Sequence, residues 1–458
     1  MQSLISACFA AILVATIVGP AASDPVPSDT PWAVLRCVGN DVDPSIYLKT
    51  PVPPAYANNT EGFLKDMFTA TGKGKGGLYD YWGQVSQNPD LMKGTSLFPW
   101  VTLDISNLQY WNLQIPTGEQ PLRTFVQTCL DQYIKKGTAT VGTGQPNDLN
   151  SYYGLIVISY IPTAGGEQGQ HDLSLTINGA PWRASTGVPA VGTTFDSISP
   201  KAMGHEMGHG YGLAHASCAS KPSNDADKDY CDSYDVMGDN GALYTNSNFA
   251  LSLSVTNQSH SSTATVNLGW SGPGLNAPHL AYLGWVPSAR TCALGAGACE
   301  FVTGGLEVTL AALGHSEAPG VFQVGIPSSI APLGGYTVEF RRASTCASPS
   351  IGPCWDQAVP DSVQIHAGWE PKGQSHTLLV DDRGGALWAP GQMFDDGAVQ
   401  ILIETFNLAA NTATIKVRWG SAYVPPPGRV SGPRACEAAG GTWVCGDPLI
   451  GHRCGCEF

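Results

Sequence analysis

Residues 205–215 read His-Glu-Met-Gly-His-Gly-Tyr-Gly-Leu-Ala-His. On an α-helix His205 and His209 stand one turn apart and project from one face. Gly212 is a natural terminator of that helix, because glycine accepts the left-handed conformation of a C-cap. A sharp turn at Gly212 lets His215 come back toward the first two imidazoles. Three nitrogen donors with one position left open make the ligand set of a catalytic zinc ion. Glu206, adjacent to a ligand but directed elsewhere, suits a general base acting on water at that metal. The expectation is therefore one Zn2+ on His205, His209 and His215, with Glu206 as the catalytic carboxylate. The short HExxH spacing alone is a weak signal, and the added glycine and third histidine make it specific.

The surrounding residues predict how the ligands are held. Ser199 reads as an N-cap and Pro200 as the first helical residue. Met203, Met207 and Tyr211 form an apolar stripe opposite the histidines, which predicts core, and Gly204 and Gly208 give a third face suited to close packing. Met237, in Tyr-Asp-Val-Met-Gly, offers a soft apolar floor under the ligands rather than a ligand.

At these residues the chain resembles the metzincin clan of zinc peptidases, whose HExxHxxGxxH pattern is complete and whose methionine turn matches Met237. The finer pattern HEMGHGYGLAHAS, DYCDSYDVMG and GPGLNAPHLAYLGW is similar to the gametolysin (autolysin) family. The resemblance covers roughly residues 32–286 and is strongest over 199–285. It implies an α+β fold: a metzincin-like catalytic domain of twisted mixed sheet plus active-site helix, followed by a β-rich domain. It also implies a secreted endopeptidase acting on peptides and on extracellular-matrix or cell-wall glycoproteins. In some metzincins a tyrosine two residues after the methionine is an extra zinc ligand. Here that position is Asp239, so three protein ligands are expected. About ten residues separate the leader from the first strand, which leaves no room for an inhibitory propeptide. A Cys37 thiolate could block the zinc, but an even cysteine count and a strand setting favour a disulfide.

The leader is residues 1–23, which carry no Asp, Glu, Lys or Arg and an apolar run from Leu4 to Val18. This reads as a secretory signal peptide, although its first residues lack the usual Lys or Arg. Of 13 cysteines, Cys8 leaves with the leader, and the even remainder suits disulfides in an oxidising compartment. Asn58 and Asn257 are N-glycosylation acceptors by sequence. A net charge of −14 argues against nucleic acid or an anionic membrane as partner. No later stretch reaches the length of a membrane span. The protein is expected to be a released extracellular monomer.

The catalytic domain is expected over 24–290, with strands at Trp32 and over Tyr153–Ile161 and helices over Glu61–Ala70 and up to Gly137. Asp-Leu-Ser-Leu-Thr-Ile-Asn, from Asp172, reads as an edge strand near the substrate. The Asn and Pro of Asn-Ala-Pro-His predict the cap and first turn of a helix that closes the domain. Seven short apolar strands over 291–422 predict a β-sandwich. A Pro-rich linker over 423–430 leads to a disulfide-rich module over 431–458 with Cys436, Cys445, Cys454 and Cys456. Trp443 in that module suits wall-polymer binding or an inert stub. Proximity suggests the pairs Cys218–Cys231, Cys292–Cys299 and Cys346–Cys354. Asp225, Asp227 and Asp229 alternate as in a Ca2+ loop, yet the glycine and terminal glutamate are missing, which favours a solvated loop. His171, His260, His279, His315, His366, His376 and His452 read as ordinary histidines. The competing function is a catalytically silent secreted protein that keeps a metzincin shell for adhesion to a wall or matrix.

Overall fold

A computed structural model describes residues 26–42, 53, 56, 59–113, 119–159, 168–194, 198–218, 230–238, 244–245, 252–257, 262–267, 270–293, 296–297, 305–327, 335–343, 355–356, 359–368, 377–380, 387–419, 442–444 and 455–457. Among them the fold is mixed α+β, with several sheets and few helices.

The first sheet explains the apolar runs of the N-terminal half. Its strands are β1 (Trp32–Val38), β2 (Ser96–Thr102), β3 (Gly154–Ser159), β4 (Gln168–Leu173) and β7 (Val188–Thr194), in the order β2-β1-β3-β7-β4. All neighbours are parallel except β4, which runs antiparallel along β7 and forms one edge. Every residue of β1, β3 and β7 is buried, as expected for parallel strands covered on both faces. Side chains alternate between two cores. Trp32, Val34, Ile156 and Ile158 face the helices α1 (Thr60–Phe68), α2 (Leu78–Val85) and α5 (Pro200–Gly210). Ala33, Leu35, Leu155 and Val157 face α4 (Glu119–Lys135), which packs Phe125, Val126, Leu130 and Tyr133 on them. A short α3 (Asn107–Asn112) precedes α4. Cys37 of β1 is bonded to Cys129 of α4, so it forms a disulfide and not a zinc-blocking thiolate.

The edge strand lies earlier than the sequence suggested. Residues after Leu173 leave the sheet and form a separate hairpin of β5 (Leu175–Ile177) and β6 (Ala180–Trp182). Asn178 and Gly179 both have positive φ, the signature of a tight two-residue turn. That turn ends the alternation that looked like one strand from Asp172.

Past α5 come β8 (Ala216–Cys218), the pairs β9 (Tyr244–Thr245) with β12 (Trp270–Ser271) and β10 (Ser252–Asn257) with β11 (Ser262–Asn267), and then α6 (Ala277–Tyr282). The C-terminal half holds β13 (Thr291–Ala293), β14 (Ala296–Gly297), β15 (Leu306–Ala311), β16 (Gln323–Pro327), β17 (Gly335–Arg341), β18 (Ser362–Ala367), β19 (Thr377–Leu379), β20 (Met393–Asp395), β21 (Val399–Asn407) and β22 (Thr412–Trp419). They form two sheets, β14-β13-β16-β17-β18-β19-β8 and β15-β22-β21-β20. Val324, Val338, Phe340 and Ile365 of one meet Leu310, Ile401, Ile403 and Ile415 of the other in a single core. One strand of the larger sheet comes from the N-terminal half: β8 pairs in parallel with β19, Ala216 opposite Thr377. The two halves thus share a hydrogen-bonded sheet. In the C-terminal stretch a short β23 (Thr442–Val444) pairs with β24 (Gly455–Glu457), and Cys436, Cys445 and Cys454 lie outside the described residues. No described helix is long and apolar enough to cross a membrane.

Candidate metal centre

Helix α5 begins as its sequence dictates. The Ser199 side chain accepts from the Ala202 N–H at 3.1 Å, and Pro200 occupies the first turn, where no N–H is needed. The helix ends at Gly210, and Gly212 takes φ +91°, a conformation that turns the chain sharply and that side chains resist. The turn carries His215 back to the helix face. The ligand nitrogens of His205, His209 and His215 all lie within 4.8 Å of one another, and Nε2 of His209 is 3.2 Å from Nε2 of His215.

Hydrogen bonding decides which nitrogens are available. Nδ1 of His205 is 2.8 Å from the Val236 carbonyl, and Nδ1 of His209 is 2.7 Å from the Leu213 carbonyl. A carbonyl only accepts, so in both rings Nδ1 carries the proton and Nε2 keeps its lone pair. Burial pushes the His205 pKa down to about 3, with the neighbouring His209 acting the same way. Burial likewise lowers His209 to about 4, partly offset by its bond to Leu213. Both rings are therefore neutral at ordinary pH, the form that ligates a metal. At 3.2 Å, the pair of Nε2 atoms needs either a His215 N–H donating to His209 or a cation between them. The donor set is therefore suited to a zinc ion.

Glu206 sits on the same helix and is buried, at 8% exposure. Strand β4 passes so close to this turn that a Cβ on Gly169 would lie 1.9 Å from the Glu206 carbonyl oxygen. The sheet edge therefore runs beside the histidines. Met203, Met207 and Tyr211 point into the core, as the stripe required. Met237 is fully buried against the helix: a Cβ on Gly208 would be 2.2 Å from its Sδ. Gly208 is the residue that lets the methionine reach the helix. Asp225, Asp227, Asp229 and Asp239 lie outside the described residues.

What the sequence did not reveal is how the methionine turn is held. Asp235 accepts from the Met237 N–H at 2.7 Å, from the Asn276 N–H at 2.6 Å and faces Nδ1 of His279 at 2.9 Å. Asn276 caps α6 through the His279 N–H and donates to Thr377 Oγ1 at 2.9 Å. Asp232 faces Nε2 of His366 at 3.3 Å. Glu339 accepts from the Ala277 N–H and pairs with Arg341, which also holds Asp356 at 2.5 Å. Asp232, Asp235, Asn276, His279, Glu339, Arg341, His366 and Thr377 are all fully buried. The cap at Asn276 was readable from its Asn-Ala-Pro pattern. The partners on β17, β18 and β19 were not, because they lie 62 to 134 residues away in sequence. His279 and His366, read from the sequence as ordinary histidines, face Asp235 and Asp232. Tyr230, its ring on His215, also gave no signal of its role.

Cys218 is bonded to Cys231, as sequence proximity suggested. Cys292 is also disulfide-bonded, and Cys299, Cys346 and Cys354 lie outside the described residues. The bridges are compatible with an extracellular protein. Comparison with protein-family models finds no match, and a search of curated proteins finds none either.

Proposed function

We propose that the protein is a secreted zinc-dependent endopeptidase of gametolysin-like, metzincin type. The observation that carries this reading is the convergence of three histidines, two with Nδ1 committed to backbone carbonyls, beside a buried carboxylate one residue from a ligand. His205, His209 and His215 would hold the ion through nitrogen lone pairs. When bound there, zinc supplies a Lewis acid that polarises a carbonyl and lowers the pKa of water. Glu206 would accept a proton from the attacking water as the C–O bond forms, and then return it to the leaving amine as the C–N bond breaks. The outer side of β4, an antiparallel sheet edge among the described residues and beside the helix, would offer main-chain hydrogen bonds to an extended polypeptide. A buried acid–base group next to a ligand cluster favours turnover over the adhesive alternative.

The test is digestion of casein by the purified protein with zinc content measured on the same sample. Cleavage that a chelator abolishes is expected. Glu206→Gln should lower the rate about 100- to 10,000-fold while zinc stays bound. Zinc binding with no cleavage, or an unchanged rate in Glu206→Gln, would overturn the catalytic reading.

A further inference from the structure

His205 and His209 are fixed by the helix that carries them. His215 is different, because it lies past the Gly212 turn, just before β8. Its ring meets that of Tyr230, with centroids 4.1 Å apart and planes tilted by 42°. The same tyrosine lies over His205 at 6.1 Å, nearly parallel at 25°. Tyr230 is 44% exposed, so one face of its ring covers two of the three imidazoles while its outer side meets solvent. Large aromatic rings left half in water are uncommon among the described residues; Leu108 and Leu408 are the other exposed large apolar side chains there.

The position of Tyr230 in the chain is set by covalent chemistry. It precedes Cys231, which is bonded to Cys218, and Cys218 lies three residues after His215. The Asp232 N–H adds a bond to the Ala216 carbonyl at 3.3 Å, and the Ala216 N–H donates to the Met237 carbonyl at 3.0 Å. The disulfide thus ties the stretch just after the third imidazole to the residue next to the ring packed against it.

We infer that Tyr230, seated by the Cys218–Cys231 bridge, is a positioning residue that orients His215 and keeps it in the metal-binding set. This rests on the proposed zinc centre. An imidazole free to rotate loses entropy each time it ligates, whereas one packed on a fixed ring has that cost met by the fold. The contacts with both imidazoles are made by the ring, and the positioning role is assigned to the ring. Residues that orient a ligand from outside contribute about 10- to 100-fold to metal affinity.

The experiment measures zinc affinity by chelator competition on the full-length protein, together with the visible spectrum of the Co2+-loaded form. Tyr230→Phe should bind zinc like the parent and give the same Co2+ spectrum. Tyr230→Ala should bind about 10- to 100-fold more weakly, with an altered spectrum. The double variant Cys218→Ser/Cys231→Ser should weaken binding in the same direction, and it keeps the test open if Tyr230→Ala fails to fold. Parent-like affinity in both Tyr230→Ala and the double variant would overturn the inference and leave the zinc centre standing. A loss in Tyr230→Phe as large as in Tyr230→Ala would also overturn it, since the hydroxyl would then be the active part. A parent that binds no zinc overturns the centre itself, and the inference with it.

Discussion

At Gly208 two opposed effects of one methyl group can be weighed. Replacing an interior helical glycine by alanine ordinarily stabilises a helix by about 1 kcal/mol. Here the new Cβ would fall 2.2 Å from Met237 Sδ, and overpacking of that kind costs about 1–3 kcal/mol. Gly208→Ala should therefore lower the melting temperature and weaken zinc binding, with Met237→Ala in the same chain recovering part of the loss. A melting temperature that rises would show that the methionine moves aside freely. The ligands themselves were legible because their spacing is local: four residues along a helix, then six around a glycine turn. Tyr230 was not, because its ring reaches His215 by way of a disulfide and fifteen residues of chain, and no periodicity marks such a contact.

The α5 helix shows how far local rules carry. Its cap, its proline and its terminal glycine all act within four residues of where they stand, and each was readable. Ser199 is buried and its hydroxyl satisfies the Ala202 N–H. Ser199→Ala should cost about 0.5–2 kcal/mol, read as a lower urea midpoint with an unchanged slope; a midpoint equal to the parent's would mean that the start of the helix is held by its packing alone. The β4 edge was only half legible. Alternation in Asp172–Asn178 was real, but a tight turn at Asn178–Gly179 diverts it into a hairpin, leaving Gln168–Leu173 on the sheet. The sheet edge took its identity from pairing with β7, which a residue pattern does not encode. Seven strands of the C-terminal half were visible from their runs of alternating or apolar residues, whereas β13, β14 and β20, of two or three residues each, were not. That β8 joins their sheet was invisible, since three residues carry no pattern.

Across the whole molecule, the network under the methionine turn makes stability depend on pH. Burial would lower the His366 pKa, but its bond to Asp232 and the charges of Glu339 and Asp235 outweigh this and raise it above the ordinary 6.5. Burial also raises Glu339 above 4.5, with His366 and Arg341 opposing in part. Both groups then bind more protons folded than unfolded. Their stabilisation is complete below the unfolded values and is lost as pH rises through the raised ones. Asp235 runs the other way: burial alone would raise it, yet His279 and two backbone N–H groups hold it below 3.8, so its contribution is lost as pH falls through that depressed value. Melting temperature should therefore be highest on the acidic side of the ordinary histidine value of 6.5 and fall as pH rises through the raised His366 value. His366→Gln should flatten that alkaline slope, and a parent whose melting temperature rises over the same range would refute the assignment.

The sheet that joins β8 to β19 also decides what a single cut in the chain would do. Break the backbone anywhere between Ala293 and Leu306 and the first piece still owns β8 and β13, strands at opposite ends of the second piece's sheet, with Asn276 bonded to Thr377 and Asp232 facing His366 across the join. Nicked molecules would travel as one particle and come apart only on denaturation, so wear by proteolysis would show as new bands under denaturing conditions long before it showed as lost assembly.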